Sequence, residues 1–291
     1  MNKLTIGSVM LLLTGTTISA LGADMPLKAA PPPPAFTWAG CYAGINGGWV
    51  GTRDRSTTGP AGNYINAPGV LPPPNLGGTG DFPASIARLT VTDTATGSGW
   101  EGGGQFGCNW QLAPIWAVGV EVDGQWSDTT TTIDRAFGAF PNPGNPAFTN
   151  QARTEHVSEH LQWFSTARLR GGVTFDRVWL YVTGGLALAG VQSETAVLFG
   201  TGVGAPVYNG ARHFGSDNVL RAGPVVGAGF EWAFLPNISV KAEYLYMYLN
   251  DFEYLSPLTG AVPAFSNGYA WRTNVQSQVQ VARVGLNVKL W

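Results

Sequence analysis

The chain has 291 residues, of which 44% are hydrophobic, only 12% are charged and 40 are glycine. Glycine is about twice the ~7% of an average protein and charge about half the usual ~25%. Sparse charge with abundant aromatics excludes a disordered chain, and glycine without a three-residue period excludes collagen. A formal charge of −2 offers no basic field for nucleic acid, and two cysteines cannot build a disulfide-dense scaffold or a four-cysteine metal site.

Met1-Asn2-Lys3 supplies a short positive start. Leu4 to Leu21 is then mostly apolar or small, and Ser19-Ala20-Leu21-Gly22-Ala23 closes the stretch. This order of charge, apolar run and small residues predicts a secretory signal peptide over 1–23. The tetraproline Pro31-Pro32-Pro33-Pro34 makes 24–37 a stiff extended spacer, which leaves 38–291 for the folded domain. No later segment has the roughly 18 uninterrupted apolar residues of a transmembrane helix.

Downstream the pattern is alternation, eight times, and no helical period competes with it. Trp38 to Val50 is glycine-heavy and the weakest instance. Gly99 to Leu112 sets Trp100, Phe106, Cys108, Trp110 and Leu112 against Glu101, Gln105, Asn109 and Gln111. Period two of this kind is a strand with one apolar and one polar face. Ile115 to Trp126 sets Trp116, Val118, Val120, Val122 and Trp126 against Glu121, Asp123 and Gln125. Leu161 to Phe175 sets Trp163, Ala167, Leu169, Val173 and Phe175 against Gln162, Thr166, Arg168, Arg170 and Thr174. Val178 to Val191 is almost wholly apolar. Leu220 to Phe234 holds Arg221 and Glu231 on its polar side, Ile238 to Leu249 holds Lys241 and Glu243, and Gln278 to Trp291 holds Arg283, Asn287 and Lys289.

Three connections are tight: Ala113-Pro114, Asp176-Arg177 and Leu235-Pro236-Asn237. Four others run to roughly 25–45 residues, and short turns at one end with long loops at the other mark an outer-membrane barrel. The fold class expected is therefore all-β: an eight-stranded antiparallel up-and-down transmembrane β-barrel with short periplasmic turns and long extracellular loops. A three-residue turn at Leu235-Pro236-Asn237 would set Phe234 opposite Ile238, Trp232 opposite Val240 and Glu231 opposite Lys241. Across Asp176-Arg177, Phe175 would face Val178 and Val173 would face Leu180, so each hairpin puts apolar beside apolar. Tryptophans and tyrosines near strand ends suit girdles at the two lipid interfaces.

The polar parity collects Glu101, Glu121, Asp123, Glu231 and Glu243 with Arg168, Arg170, Arg221, Lys241, Arg283 and Lys289. All of these are expected inside, with Glu121 and Asp123 near the heights of Arg170 and Arg168. Eight strands enclose a space just wide enough for side chains, and an isolated buried charge is strongly unfavourable. Paired charges are therefore expected to plug the lumen; the alternative is a charge-lined path for small solutes.

Trp38-Ala-Gly-Cys-Tyr-Ala-Gly-Ile-Asn-Gly-Gly-Trp49 resembles the opening strand of the alphaproteobacterial outer-membrane immunogenic protein family, a porin-family group of OmpA-like eight-stranded barrels. Gly102-Gly-Gly-Gln-Phe-Gly-Cys-Asn-Trp-Gln111, Gly184-Gly-Leu-Ala187 and Pro236-Asn-Ile-Ser-Val-Lys-Ala-Glu-Tyr-Leu-Tyr246 are similar to its inner segments. Arg283-Val-Gly-Leu-Asn-Val-Lys-Leu-Trp291 is similar to its closing strand. The resemblance implies the outer membrane of a Gram-negative bacterium and a structural, antigenic or weakly pore-forming surface protein. The implied partners are outer-membrane lipid and lipopolysaccharide, the barrel-assembly machinery through the last strand, and an extracellular ligand of unknown nature. Two departures are the terminal Leu290-Trp291, where the family ends in a single phenylalanine, and Cys41 and Cys108, where aromatics are common.

Several motifs mimic chemistry. Gly102-x-Gly104-x-x-Gly107 matches a dinucleotide fingerprint, but no helix follows it. Ala39-Gly40-Cys41 echoes a lipoprotein acceptor without the apolar core that should precede it. Cys41 and Cys108 fall on adjacent strands, both outward; bridging needs near-opposite positions, which spacing leaves open. Glu155-His156-Val157-Ser158-Glu159-His160 is the sharpest catalytic candidate: His156, Ser158 and His160 share one side of a strand, and Glu155 or Glu159 could orient a base. The same residues could hold a metal, and His213 stands apart from them. Solvated polar residues after a long loop are the plainer reading, so no catalytic, cofactor or metal residue is expected. A structural surface barrel is favoured, a low-conductance porin comes second, and an acyl hydrolase acting on lipid A comes third.

Overall fold

The computed structural model describes residues 36–62, 89–138, 140–142, 145–150, 152–200, 212–259 and 269–290. The expected signal peptide, and the spacer as far as residue 35, lie outside the described residues. Ten strands follow in chain order: β1 (Gly40–Gly62), β2 (Val91–Ala113), β3 (Trp116–Phe137), β4 (Phe140–Asn142), β5 (Asn145–Asn150), β6 (Arg153–Phe175), β7 (Val178–Phe199), β8 (Arg212–Leu235), β9 (Ile238–Thr259) and β10 (Tyr269–Lys289). Eight of them close a ring in the order β1-β10-β9-β8-β7-β6-β3-β2, and β4 and β5 form a separate hairpin within one long connection. Every ring pairing is antiparallel, and β1 meets β10 without a break from Tyr42↔Lys289 to Gly62↔Tyr269.

Three two-residue turns close one end, at Pro114-Ile115, Asp176-Arg177 and Pro236-Asn237. Asp176 takes the positive φ of 49° that such a turn needs. Glu231 does pair with Lys241 and Trp232 with Val240, but Leu235, not Phe234, faces Ile238, because a register shift intervenes between Trp232 and Leu235. Phe175 faces Val178 and Val173 faces Leu180. The first turn sits one residue later than expected, with Ala113 paired to Trp116 across a shift at Gln111/Ala113.

The barrel is taller than the alternation suggests. β1 alone has 23 residues, where roughly 9–11 suffice to cross a bilayer. At ~3.3 Å per residue and a tilt of about 40°, such strands give roughly 55 Å of height, against an apolar band of about 25 Å. The band is visible on the outer wall. Toward the turns it carries Trp110, Trp116, Leu180, Phe230 and Trp232; toward the loops it stops at two directly paired couples, Trp49↔Trp100 and Trp126↔Trp163. Above those tryptophans the wall exposes Arg53, Arg55, Asp128, Thr130, Thr132 and Asp134. Both faces are largely polar there, so the period-two signal fades although the strands continue.

Bulges adjust the facing as the strands rise. An extra residue at Gln162 in β6 shifts register between Leu161 and Trp163, so the inward parity changes from Phe164, Thr166 and Arg168 below to Leu161, Glu159 and Glu155 above. Gln162, expected inward, instead donates to Gln192 at 3.1 Å. Cys41 and Cys108 are direct register partners and form a disulfide.

Charge on the two parts of the wall should cost differently. Val182→Arg, on the lipid-facing side of β7, should destabilise the barrel by about 2–4 kcal/mol. Thr132→Arg, above the Trp126↔Trp163 couple, should stay within about 0.5 kcal/mol. Reversible denaturant unfolding in liposomes measures both, and equal costs would mean that the belt does not end at the tryptophans.

Candidate functional site: the filled lumen

The lumen is filled in layers. At the turn end Trp38, Trp179, Tyr181, Ala117 and Ala233 form a buried cluster. Above it lies the charged layer, and its hub is Glu121. The Glu121 carboxylate accepts from Lys241 Nζ at 2.7 and 2.9 Å, from Arg170 at 3.1 Å, from Arg168, and from the Tyr42 hydroxyl. Asp123 accepts from Arg168 and Arg283, each at 2.9 Å, and from Thr166 at 2.7 Å. Glu243 accepts from Arg168 and Arg283, both at 2.7 Å, and Glu231 takes Arg170 at 2.6 Å and Asn287 at 2.8 Å. Four carboxylates thus face four cations, drawn from β3, β6, β8, β9 and β10, and Glu121–Arg168, Glu231–Lys241 and Glu243–Arg283 are direct register partners. The Arg170 guanidinium also lies over the rings of Tyr181 and Trp179, at 4.1 and 4.5 Å.

Tyr42 reaches this hub from β1 because β2, the strand between, offers glycine at the crossing point. A Cβ at Gly107 would collide with the Tyr42 hydroxyl and ring. Higher up, Gly97 does the same for Thr131, whose hydroxyl would lie 2.6 Å from a Cβ there. Thr131 on β3 can therefore bond Thr52 on β1 at 2.6 Å across β2.

Eight of the eleven expected lumen charges meet in this layer: Glu121, Asp123, Arg168, Arg170, Glu231, Lys241, Glu243 and Arg283. Three do not. Glu101 faces inward at 6% exposure, yet neither carboxylate oxygen has a protein hydrogen-bond partner. Arg221 sits higher and donates to the Asn250 and Val275 carbonyls and to Ser277. Lys289 lies at the turn-end rim and donates to the Thr37 carbonyl at 3.0 Å. It leaves the lumen because β10 runs out of barrel there. The heights also differ by one step: Glu121 is directly opposite Arg168, not Arg170.

Above the charges comes an apolar layer, built from Val50, Phe164, Leu161, Leu245, Met247 and Val281 among others. Alternation alone misses it. Its trace is that Tyr244 to Leu249 is apolar at both parities, which on a barrel strand means an apolar inside as well as outside. Polar filling then resumes with Asp54, Thr131, Glu159, Ser193 and Thr195. All of these lie above the belt. Burial pushes the Glu159 carboxyl up to about 8, opposed by its Ser193 hydrogen bond, and burial raises Asp54 as well. Near the loops Glu155 pairs with Arg153 at 2.7 Å and Arg135 at 3.2 Å, and Arg153 also holds the Leu89 carbonyl.

The catalytic candidate comes apart. His156 and His160 face outward, where they pair with Asp134 at 2.6 Å and Asp128 at 3.1 Å. Glu155 and Glu159 face inward, on the other side of the sheet, so neither can orient either imidazole. His213 is buried beside Phe199 and Trp271. Among the described residues no three His, Cys, Asp or Glu side chains gather as metal ligands.

Over residues 25–268 the chain matches the family model of the outer membrane protein beta-barrel domain. The chain belongs to that outer-membrane β-barrel family. It is 32% identical over 234 residues to the 31 kDa outer-membrane immunogenic protein of Brucella melitensis, covering 78% of this chain and 80% of that protein. The Brucella suis protein of the same name gives the same values. Among solved structures it is similar to the outer membrane protease OmpT of Escherichia coli, at 11% identity over 89% of this chain and 99% of that one, TM-score 0.42. The outer membrane protein OprG of Pseudomonas aeruginosa gives 12% identity over 88% of this chain and 99% of that one, TM-score 0.34. As an outer-membrane barrel it crosses the bilayer with strands, and its long connections stand at the end opposite the tight turns.

Removing the hub should be costly. Glu121→Leu leaves Lys241, Arg168 and Arg170 without their shared acceptor and should destabilise the barrel by about 3–5 kcal/mol. Adding Lys241→Met should recover part of that loss, and urea unfolding of both variants in micelles tests the coupling. His213, above the belt, is held down to about 4 by burial. The unfolded chain takes up its proton first, so this contribution is intact above about pH 6.5 and falls by about 3 kcal/mol as pH drops through 4. His213→Phe should flatten that part of the stability–pH curve.

Proposed function

We propose that the protein is a structural surface barrel of the outer membrane, presenting its loops outside and carrying no solute through its lumen. The observation that supports this is the sequence of layers inside: a charge-balanced plug with an apolar layer directly above it. Ions would have to break at least four mutually bonded charge pairs and then cross side chains such as Phe164, Leu245 and Met247. Desolvating an ion in such a layer is prohibitive. A non-enzymatic role accords with the relatives named as immunogenic proteins and with the separation of His156 and His160 from Glu155 and Glu159. On this reading the partners are outer-membrane lipid and lipopolysaccharide along the belt, and the barrel-assembly machinery through β10.

Planar-bilayer recording of the folded protein tests the proposal. Flat traces are expected at ordinary voltages. Discrete steps whose size changes with Arg168→Ala would overturn it and establish the low-conductance porin.

A further inference from the structure

The outer wall of β1 changes from aromatic to cationic in one step above the apolar belt. Trp49 closes the belt there, and its indole lies over Gly51, where a Cβ would collide with the ring. The next two outward positions are Arg53 and Arg55, both exposed, while Thr52, Asp54 and Ser56 point into the lumen and are buried. Two residues apart on one face, the arginines stand roughly 7 Å from each other along the strand. Among the described residues neither guanidinium has a salt bridge or a hydrogen-bond partner. Other cations of the upper wall do: Arg272 pairs with Glu253 at 3.2 Å, His156 with Asp134 and His160 with Asp128. Arg53 lies between its register partners Gln278 and Thr96, and Arg55 between Gln276 and Thr94. Both charges are therefore bordered by neutral hydrogen-bonding side chains. Asp251, on the far side of β10, accepts from Gln276 at 2.9 Å.

We propose that Arg53 and Arg55 clamp a phosphate on the sugar headgroup of lipopolysaccharide in the outer leaflet. The inference rests on the surface-barrel reading above, with the loops outside, and gives the lipopolysaccharide contact a place and a chemistry. Tryptophans sit where hydrocarbon meets headgroups, and the Trp49 indole reaches up to the level of Gly51. The arginines are the first charges above that boundary on β1, and their long stems can lower the guanidinium toward the headgroups. Arginine suits the task because its planar fork binds phosphate oxygens two at a time. A phosphate monoester carries about −1.5 to −2 at neutral pH, which matches two guanidiniums; the diester of an ordinary phospholipid carries a single charge. Thr94, Thr96, Gln276 and Gln278 offer hydrogen bonds to the surrounding sugar, and Trp49 meets the acyl chains below. Free phosphate would lack both of those contacts.

The test uses the full chain refolded in nonionic detergent without lipopolysaccharide, with bound lipid counted by native mass spectrometry. Lipid A carrying its phosphates should be held at least tenfold more tightly than the same lipid with the phosphates removed. Arg53→Gln combined with Arg55→Gln should abolish that preference. Arg272→Gln, which removes a paired cation from the same wall, should leave it unchanged. Equal retention of lipid A by the wild type and the double variant overturns the proposal. So does equal retention of the dephosphorylated lipid, which would mean that acyl contact alone holds it. Phosphatidylglycerol bound as tightly as lipid A, or inorganic phosphate displacing lipid A at equal concentration, would reduce the site to general anion attraction and overturn it too. Planar-bilayer recording reads the surface-barrel proposal separately. Channel steps would sink that reading and leave a lipid A preference standing; flat traces without the preference would sink only the phosphate clamp.

Discussion

A bilayer offers no water to backbone amides, so a sheet that crosses it must leave no edge unpaired. Everything else in this barrel follows from meeting that demand with eight strands. Ring closure of β1 on β10 satisfies the amides, but it also creates an interior too narrow to be a generous channel and too wide to be left empty. Side chains must fill it. Here the filling alternates along the axis between charged and apolar layers.

Glu101 is buried with no protein hydrogen bond, whereas in the inner plug charges enter in matched numbers and with several bonds apiece, as around Glu121 and Glu243. Glycines on β2 make this possible, because side chains of β1 and β3 can then meet over a strand that contributes no bulk. Above the plug the interior turns apolar, and the layer around Phe164 and Leu245 separates the inner ionic plug from the outer polar filling. The same strands carry all of these layers. Their outer faces change from tryptophan and leucine to threonine and aspartate at a different height, so inside and outside are patterned independently.

That independence explains what could be read from residues alone. Within the belt one face is apolar and the other polar, and period two placed all eight strands and the Glu231–Lys241, Phe175–Val178 and Val173–Leu180 pairings. Above Trp126 the run Thr129 to Thr132 is polar on both faces, so strand and loop look the same and the outer half of the barrel was invisible. The bulge at Gln162 reverses facing without any local composition signal, so continuing the lower parity upward would put His156 and His160 inside instead of outside; Glu155 and Glu159 lie on the other face from those histidines simply because neighbouring strand residues alternate. Lys289 was misplaced for a simpler reason: parity says which way a side chain faces but not whether the barrel still surrounds it. The bond between Cys41 and Cys108 required knowing register across a long connection, which spacing along the chain does not contain.

The height of the outer wall has its own consequence. Strands that continue past the apolar belt carry their ladder into water, where an unpaired amide can bond to solvent instead of facing hydrocarbon. The same backbone pairing that is obligatory across the bilayer is therefore dispensable in the threonine-rich upper ring, and that part of each strand is free to accept changes that the belt cannot.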